Sequence, residues 1–212
     1  MEHNPARWKT DFERDGYLVV EDVLDTQTLS TLRAGIERIT AAPDTLPDHL
    51  RRHIQFERDY VQKRPDQNDH DAAQVGNAVR NIMELPLFDR AFGELIAYEP
   101  LLDVLEALFE SGEFHLHNYK CIVKAPRISS QFLWHRDLPY LKHSTSNLIT
   151  ALLCLDDMRA ANGATVVLPG THRIAHEDVL DTDVDLPEDG LPTDVGRVIV
   201  ECPAGSAVLF HV

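Results

Sequence analysis

His135 and Asp137 stand two residues apart in FLWHRDLPYL, residues 132–141. A neutral imidazole nitrogen and a carboxylate oxygen are both good ligands for a divalent first-row metal, and side chains at i and i+2 of a strand share a face. Such a pair, joined by a second histidine from a distant strand, makes the 2-His-1-carboxylate facial triad. That triad leaves three positions of ferrous iron open, two for a keto acid and one for oxygen. Histidine-x-aspartate is a weak pattern by itself, and a structural or surface His–Asp pair is the competing reading. The surroundings favour the metal. Trp134 precedes the pair and Tyr140 follows it, so both candidate ligands stand in apolar, aromatic company, and these two aromatics are expected to border the substrate.

The elements that must position the pair change character near residue 113. Before it, DTQTLSTLRAGIERIT places Leu29, Leu32, Ile36 and Ile39 on one helical face, with Asp25 or Thr26 able to cap the start. EPLLDVLEALFESG reads as a second helix, with Pro100 in its first turn and Gly112 just past its end. GYLVVEDVL is a short strand-like piece, and the charged, Pro- and Asp-rich stretch 43–75 reads as loops with a short helix. After residue 113 come FHLHNYKCIVK, SQFLWH, NLITALLCL, ATVVLP, GRVIVECP and SAVLF, short β-branched or aromatic runs separated by Pro, Gly, Asn and Asp. Helices first and strands later predicts an α+β domain over 1–212, with helices packed against a β-roll. Residues 174–196 carry eight acids and no Lys or Arg. They are expected to form a poorly ordered exposed loop, or a substrate lid.

Composition narrows the function classes. Asp and Glu number 35 against 20 Lys and Arg, which argues against a phosphate-binding basic face and hence against nucleic acid as a partner. No run approaches the roughly 20 apolar residues of a membrane span, and the N-terminus lacks a signal-peptide core. Cys121, Cys154 and Cys202 lie far apart in apolar runs. They read as reduced thiols and place the chain in the cytoplasm. Oligomeric state is not legible.

Four blocks carry a family resemblance: FERDGYLVVEDVLD, KAPRISSQFLWHRDLPY, LCLDDMRAANGATVVLPGTHR and CPAGSAVLFHV. In this order and rough spacing they resemble the phytanoyl-CoA dioxygenase family of Fe(II)/2-oxoglutarate-dependent oxygenases. The resemblance implies a double-stranded β-helix (jelly roll) with flanking N-terminal helices. It also implies Fe(II), with 2-oxoglutarate and O2 as cosubstrates. His135 and Asp137 become iron ligands. Asn118 and Lys124, before the ligand loop, and Thr150, on the next strand, are expected near the keto acid or substrate. Asn118 as a turn cap, Lys124 as a snorkelling side chain and Thr150 as plain strand packing are the alternatives. His172 in PGTHR is expected to be structural.

The implied activity is hydroxylation of a C–H bond of a small molecule, releasing succinate and CO2. A non-catalytic jelly roll that binds a metabolite or a partner is the alternative. Asp137 argues against a halogenase, which needs that position open for chloride. The family's second iron histidine, and the arginine that pairs with 2-oxoglutarate, would fall after Val212. His211 follows the last aromatic too closely to be the expected ligand, though it could serve if the strand end shifts. A chain ending at Val212 is therefore expected to turn over 2-oxoglutarate poorly.

Overall fold

The computed structural model describes residues 4–65, 69–109, 113–141, 143–175, 185–186 and 188–212. Ten strands occur among them: β1 Tyr17–Val20, β2 Ile54–Phe56, β3 Val79–Met83, β4 Lys120–Ile122, β5 Trp134–His135, β6 Ile149–Leu153, β7 Val166–Val167, β8 Asp185–Leu186, β9 Val198–Ile199 and β10 Ala207–His211. The chain divides into two units. One comprises Met1–Asp25, Pro100–Glu113 and Phe132–Val212, the other Thr26–Glu99 and Phe114–Gln131.

The first unit is built around β10. Ala207, Val208 and Leu209 are fully buried, which a strand achieves only when both of its faces are covered. The strand lies between β1 and β6, antiparallel to each. Its period of two sends Ala207 and Leu209 to one face. There they join Phe12, Leu18, Val20, Val23, Val104 and Leu108, so the helices Pro5–Asp15 and Glu99–Leu108 cover that side. Val208 points the other way, into a cluster with Cys154, Val200 and Cys202. Each of the buried Val and Leu side chains among these contributes about 1.5–3 kcal/mol by leaving water. In β6, Ile149, Ala151 and Leu153 pack on the helical side, while Leu152 packs on the other. Thr150 therefore shares the face of Leu152, away from the helices. Two further strand pairs, β5 with β8 and β7 with β9, complete the unit's described sheet structure. Cys154 and Cys202 are free, with sulfurs 3.6 Å apart, and burial pushes the Cys154 thiol up to about 12, with Cys202 adding to it.

The PGTHR run has a structural task, as expected. Helix Pro5–Asp15 ends on Gly16, whose φ is 77° and whose N–H donates to the Phe12 carbonyl at 2.7 Å. The exposed carbonyls just before it are taken up from outside the helix. Arg173 Nη1 donates to the Arg14 carbonyl at 2.6 Å, and His172 Nε2 lies 3.2 Å from the Glu13 carbonyl. This satisfies carbonyls that a helix end leaves open. His172 comes so close that a Cβ on Gly16 would sit 2.2 Å from its Nδ1. Glycine is required there on both grounds. Burial holds the His172 imidazole below its usual range; the Glu13 carbonyl opposes the shift, and His211, Arg173 and Arg136 reinforce it.

The second unit holds the antiparallel sheet β2–β3–β4 and the helix Thr26–Ala41. Leu32 and Ile39 of that helix are buried, with Leu29 and Ile36 partly so, as their spacing predicts. Stretch 43–75 is more regular than its composition suggests. It contains β2 and the helices Asp48–Arg51, Glu57–Lys63 and Ala72–Val75. The unit contains a buried ion pair. Glu57 is 0% exposed and Arg80 4%. Arg80 Nη1 reaches both Glu57 oxygens, at 3.1 and 3.2 Å, and its guanidinium lies 3.8 Å from the centre of the Tyr60 ring.

Helices thus dominate before residue 113 and strands after it, with three strands, β1 to β3, on the helical side of that line. Gly112 and part of the acidic stretch, residues 176–184 and 187, lie outside the described residues. No helix among the described residues is long and apolar enough to cross a membrane.

Candidate metal site

His135 closes β5, and Asp137 opens the helix Asp137–Leu141. The expected geometry, two residues of one strand, is therefore replaced by a strand-to-helix junction with Arg136 at the bend. The side chains still converge: His135 Nε2 lies 3.3 Å from Asp137 Oδ1. Two donors bound side by side to a six-coordinate ion with bonds of roughly 2.1 Å stand about 3 Å apart, so the pair fits a shared divalent metal.

Each of these side chains is also held from behind. His135 Nδ1 lies 2.7 Å from the Leu133 carbonyl. That carbonyl can only accept, so Nδ1 carries the proton and the Nε2 lone pair is left for a metal. Asp137 Oδ2 accepts a 2.6 Å hydrogen bond from Thr150 Oγ1, leaving Oδ1 toward His135. Thr150, expected near the keto acid, thus uses its hydroxyl donor in a hydrogen bond to the aspartate. Tyr140 lies one helical turn after Asp137, on the same side of that helix. Its ring meets the His135 ring edge-on, with centres 5.2 Å apart, and stays 48% exposed. The indole N–H of Trp134 donates to Glu188 Oε1 at 2.8 Å.

Asn118 and Lys124 belong to the second unit and are exposed there. Desolvation draws the Lys124 ammonium below its usual range, and nearby Arg80 adds to the effect. His115 and His117 are also exposed. His211, the candidate for a third ligand, stands in β10 with its ring 5.5 Å from that of His172. No group of three His, Cys, Asp or Glu side chains able to hold a metal occurs among the described residues.

Sequence reasoning missed three of these contacts: Thr150 on Asp137, Glu188 on Trp134 and the pairing of β8 with β5. The first had a local signal, since a threonine mid-strand among Ile149, Ala151 and Leu153 is a polar residue that needs a partner. The other two join segments about 50 residues apart and had none.

Residues 12–212 match the family model for phytanoyl-CoA dioxygenase (PhyH). The chain belongs to the phytanoyl-CoA dioxygenase family. Among its relatives is the ectoine dioxygenase of Nocardia farcinica, 24% identical over 167 residues, or 76% of this chain and 49% of that protein. The chain therefore spans about half the length of the curated relatives it matches. Among solved structures, EctD from S. alaskensis with 2-oxoglutarate and 5-hydroxyectoine superposes with a TM-score of 0.74 at 23% identity, covering 100% of this chain and 69% of that one. The non-heme alpha-ketoglutarate-dependent epimerase SnoN from nogalamycin biosynthesis superposes at 0.66 and 17% identity, covering 98% and 73%. The fold of this family member is accordingly the double-stranded β-helix with flanking helices.

Proposed function

We propose that this chain carries part of the active site of an Fe(II)/2-oxoglutarate-dependent dioxygenase that hydroxylates a C–H bond of a small molecule. The observation that carries the reading is the convergence of His135 Nε2 and Asp137 Oδ1 at 3.3 Å, with the remaining polar atom of each side chain already occupied. Family membership supports it, as do relatives named as dioxygenases. Iron bound here, with 2-oxoglutarate and O2, would supply the oxidising power, and succinate and CO2 would leave.

The chain's own residues would do the rest. His135 and Asp137 hold the metal, and Thr150 keeps Asp137 turned toward it. Tyr140, half open beside His135, forms an aromatic wall for the substrate, and Trp134 backs the same strand. Asn118 and Lys124 belong to the proposal on the family resemblance alone, as contacts for the keto acid or substrate. A reducing compartment such as the cytoplasm suits Cys154 and Cys202, which stand side by side as thiols.

The test uses the protein expressed to the end of its reading frame, with ferrous iron, ascorbate and oxygen. It measures succinate formed from 2-oxoglutarate across a panel of small metabolites that includes ectoine. Succinate release coupled to one of them is the expected result. A protein that binds a metabolite tightly without ever releasing succinate would instead support a non-catalytic binding role. Thr150→Val should weaken metal affinity about tenfold, the low end of the effect of losing an outer partner of a ligand, with little change in melting temperature. Affinity equal to wild type would remove Thr150 from the site.

A further inference from the structure

Residues 134–137 send alternate side chains to two different tasks. His135 and Asp137 meet each other. Trp134 and Arg136 instead reach two points of the acidic stretch 174–196. Arg136 donates to the carbonyls of Ile174 at 2.8 Å and Thr171 at 2.7 Å, where that stretch begins. Trp134 donates to Glu188 at 2.8 Å, further along it. The guanidinium of Arg197 lies 5.3 Å from the centre of the Trp134 ring and forms an ion pair with Glu188. The backbone joins in, since Trp134 pairs with Leu186 and His135 with Asp185. The first point is itself fixed: Thr171 Oγ1 donates to the Leu168 carbonyl at 2.7 Å, and Arg173 is tied to the end of helix Pro5–Asp15.

We propose that Arg136, Glu188 and Arg197 are positioning residues for the metal site, forming with Trp134 a brace that sets the angle between His135 and Asp137. The inference rests on the metal-site reading above. The physical need is specific to this chain's geometry. His135 ends a two-residue strand and Asp137 starts a helix, so the ligands straddle a bend at Arg136 rather than sharing a rigid strand. Metal donors must be held within about 0.5 Å of the productive arrangement. A two-residue strand pair is too short to do this alone. The brace supplies the missing constraint from the side of the segment opposite in sequence phase to the ligands. It adds little to global stability, because Arg197 and Glu188 are an exposed pair, with 52% and 61% of their side chains accessible, and exposed pairs are worth little by themselves.

The experiment uses the protein expressed to its natural end and compares wild type with Glu188→Ala, Glu188→Gln, Arg136→Met, Arg136→Lys and His135→Ala. Anaerobic titration gives the Fe(II) affinity, the electron paramagnetic resonance of the ferrous nitric oxide adduct gives the uniformity of the site, and thermal melting gives global stability. Glu188→Ala and Arg136→Met should each weaken Fe(II) binding about tenfold and broaden the resonance, with Glu188→Ala melting as wild type. Glu188→Gln keeps an acceptor for the indole N–H, and Arg136→Lys keeps a cationic donor without the guanidinium fork, so both should recover part of the loss.

Wild-type affinity and line shape in both Glu188→Ala and Arg136→Met would overturn the proposal. So would an affinity loss that follows an equal loss of melting temperature, or the absence of any recovery in the conservative variants. His135→Ala separates the two levels. If it binds iron as wild type does, the metal-site reading itself fails. If it does not bind while Glu188→Ala binds normally, the brace alone is wrong.

Discussion

Replacing His135 with alanine should remove specific ferrous iron binding and, with it, succinate formation by the protein expressed to its natural end. His135 Nε2 stands 3.3 Å from Asp137 Oδ1, and the Nδ1 contact with the Leu133 carbonyl holds the imidazole in the metal-binding tautomer. Deleting a ligand outright should exceed the roughly 10–100-fold cost of deleting one of its outer partners. Asp137→Ala should behave in the same way, while Asp137→Glu, which keeps a carboxylate but displaces it by one methylene, should retain weak binding. Anaerobic titration and a succinate assay check both. Wild-type affinity in both alanine variants would leave the His–Asp pair as an ordinary ion pair and dismiss the assignment.

Glu57→Gln should lower the unfolding free energy by about 3–5 kcal/mol, the usual cost of leaving one member of a buried pair without its counter-charge. Arg80 would keep its positive charge at 4% exposure, with the Tyr60 ring and the carbonyls of Ser130 and Gln131 among its other contacts. Glu57 Oε2 also accepts from the Ser130 N–H at 3.3 Å, a bond that a rotated glutamine amide would not keep as well. Arg80→Met should cost a similar amount, because Glu57 would then be the buried charge. The double variant should cost less than the sum of the two, since neither charge is stranded. Denaturant unfolding of the four proteins measures this cycle. Changes below about 0.5 kcal/mol in both single variants, the range of ordinary surface substitutions, would mean that the pair contributes no more than an exposed one.

Local pattern was enough for much of this protein. The 3.6-residue period of Leu29, Leu32, Ile36 and Ile39 and the short apolar runs around 149–153 and 207–211 appear in the structure as a helix and two core strands. Periodicity records which face is buried, and burial is what secures these elements. The identity of His135 and Asp137 as metal-ligating types, and the family itself, were legible because chemistry constrains residue type and spacing along the chain. The structural task of His172 was also anticipated, although not its partners.

Tertiary structure decided what lies between distant segments. Asp137 meets His135 from the start of a helix rather than from a shared strand, because the chain bends at Arg136. Thr150 serves Asp137 because β6 turns its even-numbered side chains away from the helical face. Glu57 and Arg80 lie 23 positions apart, and Trp134 and Glu188 lie 54 apart. Neither pairing leaves a periodic trace, since a single hydrogen-bonded contact shapes one residue at each end and nothing between. Gly16 makes the same point: a glycine after a helix announces a left-handed cap, but only the folded chain places His172 where any Cβ would collide.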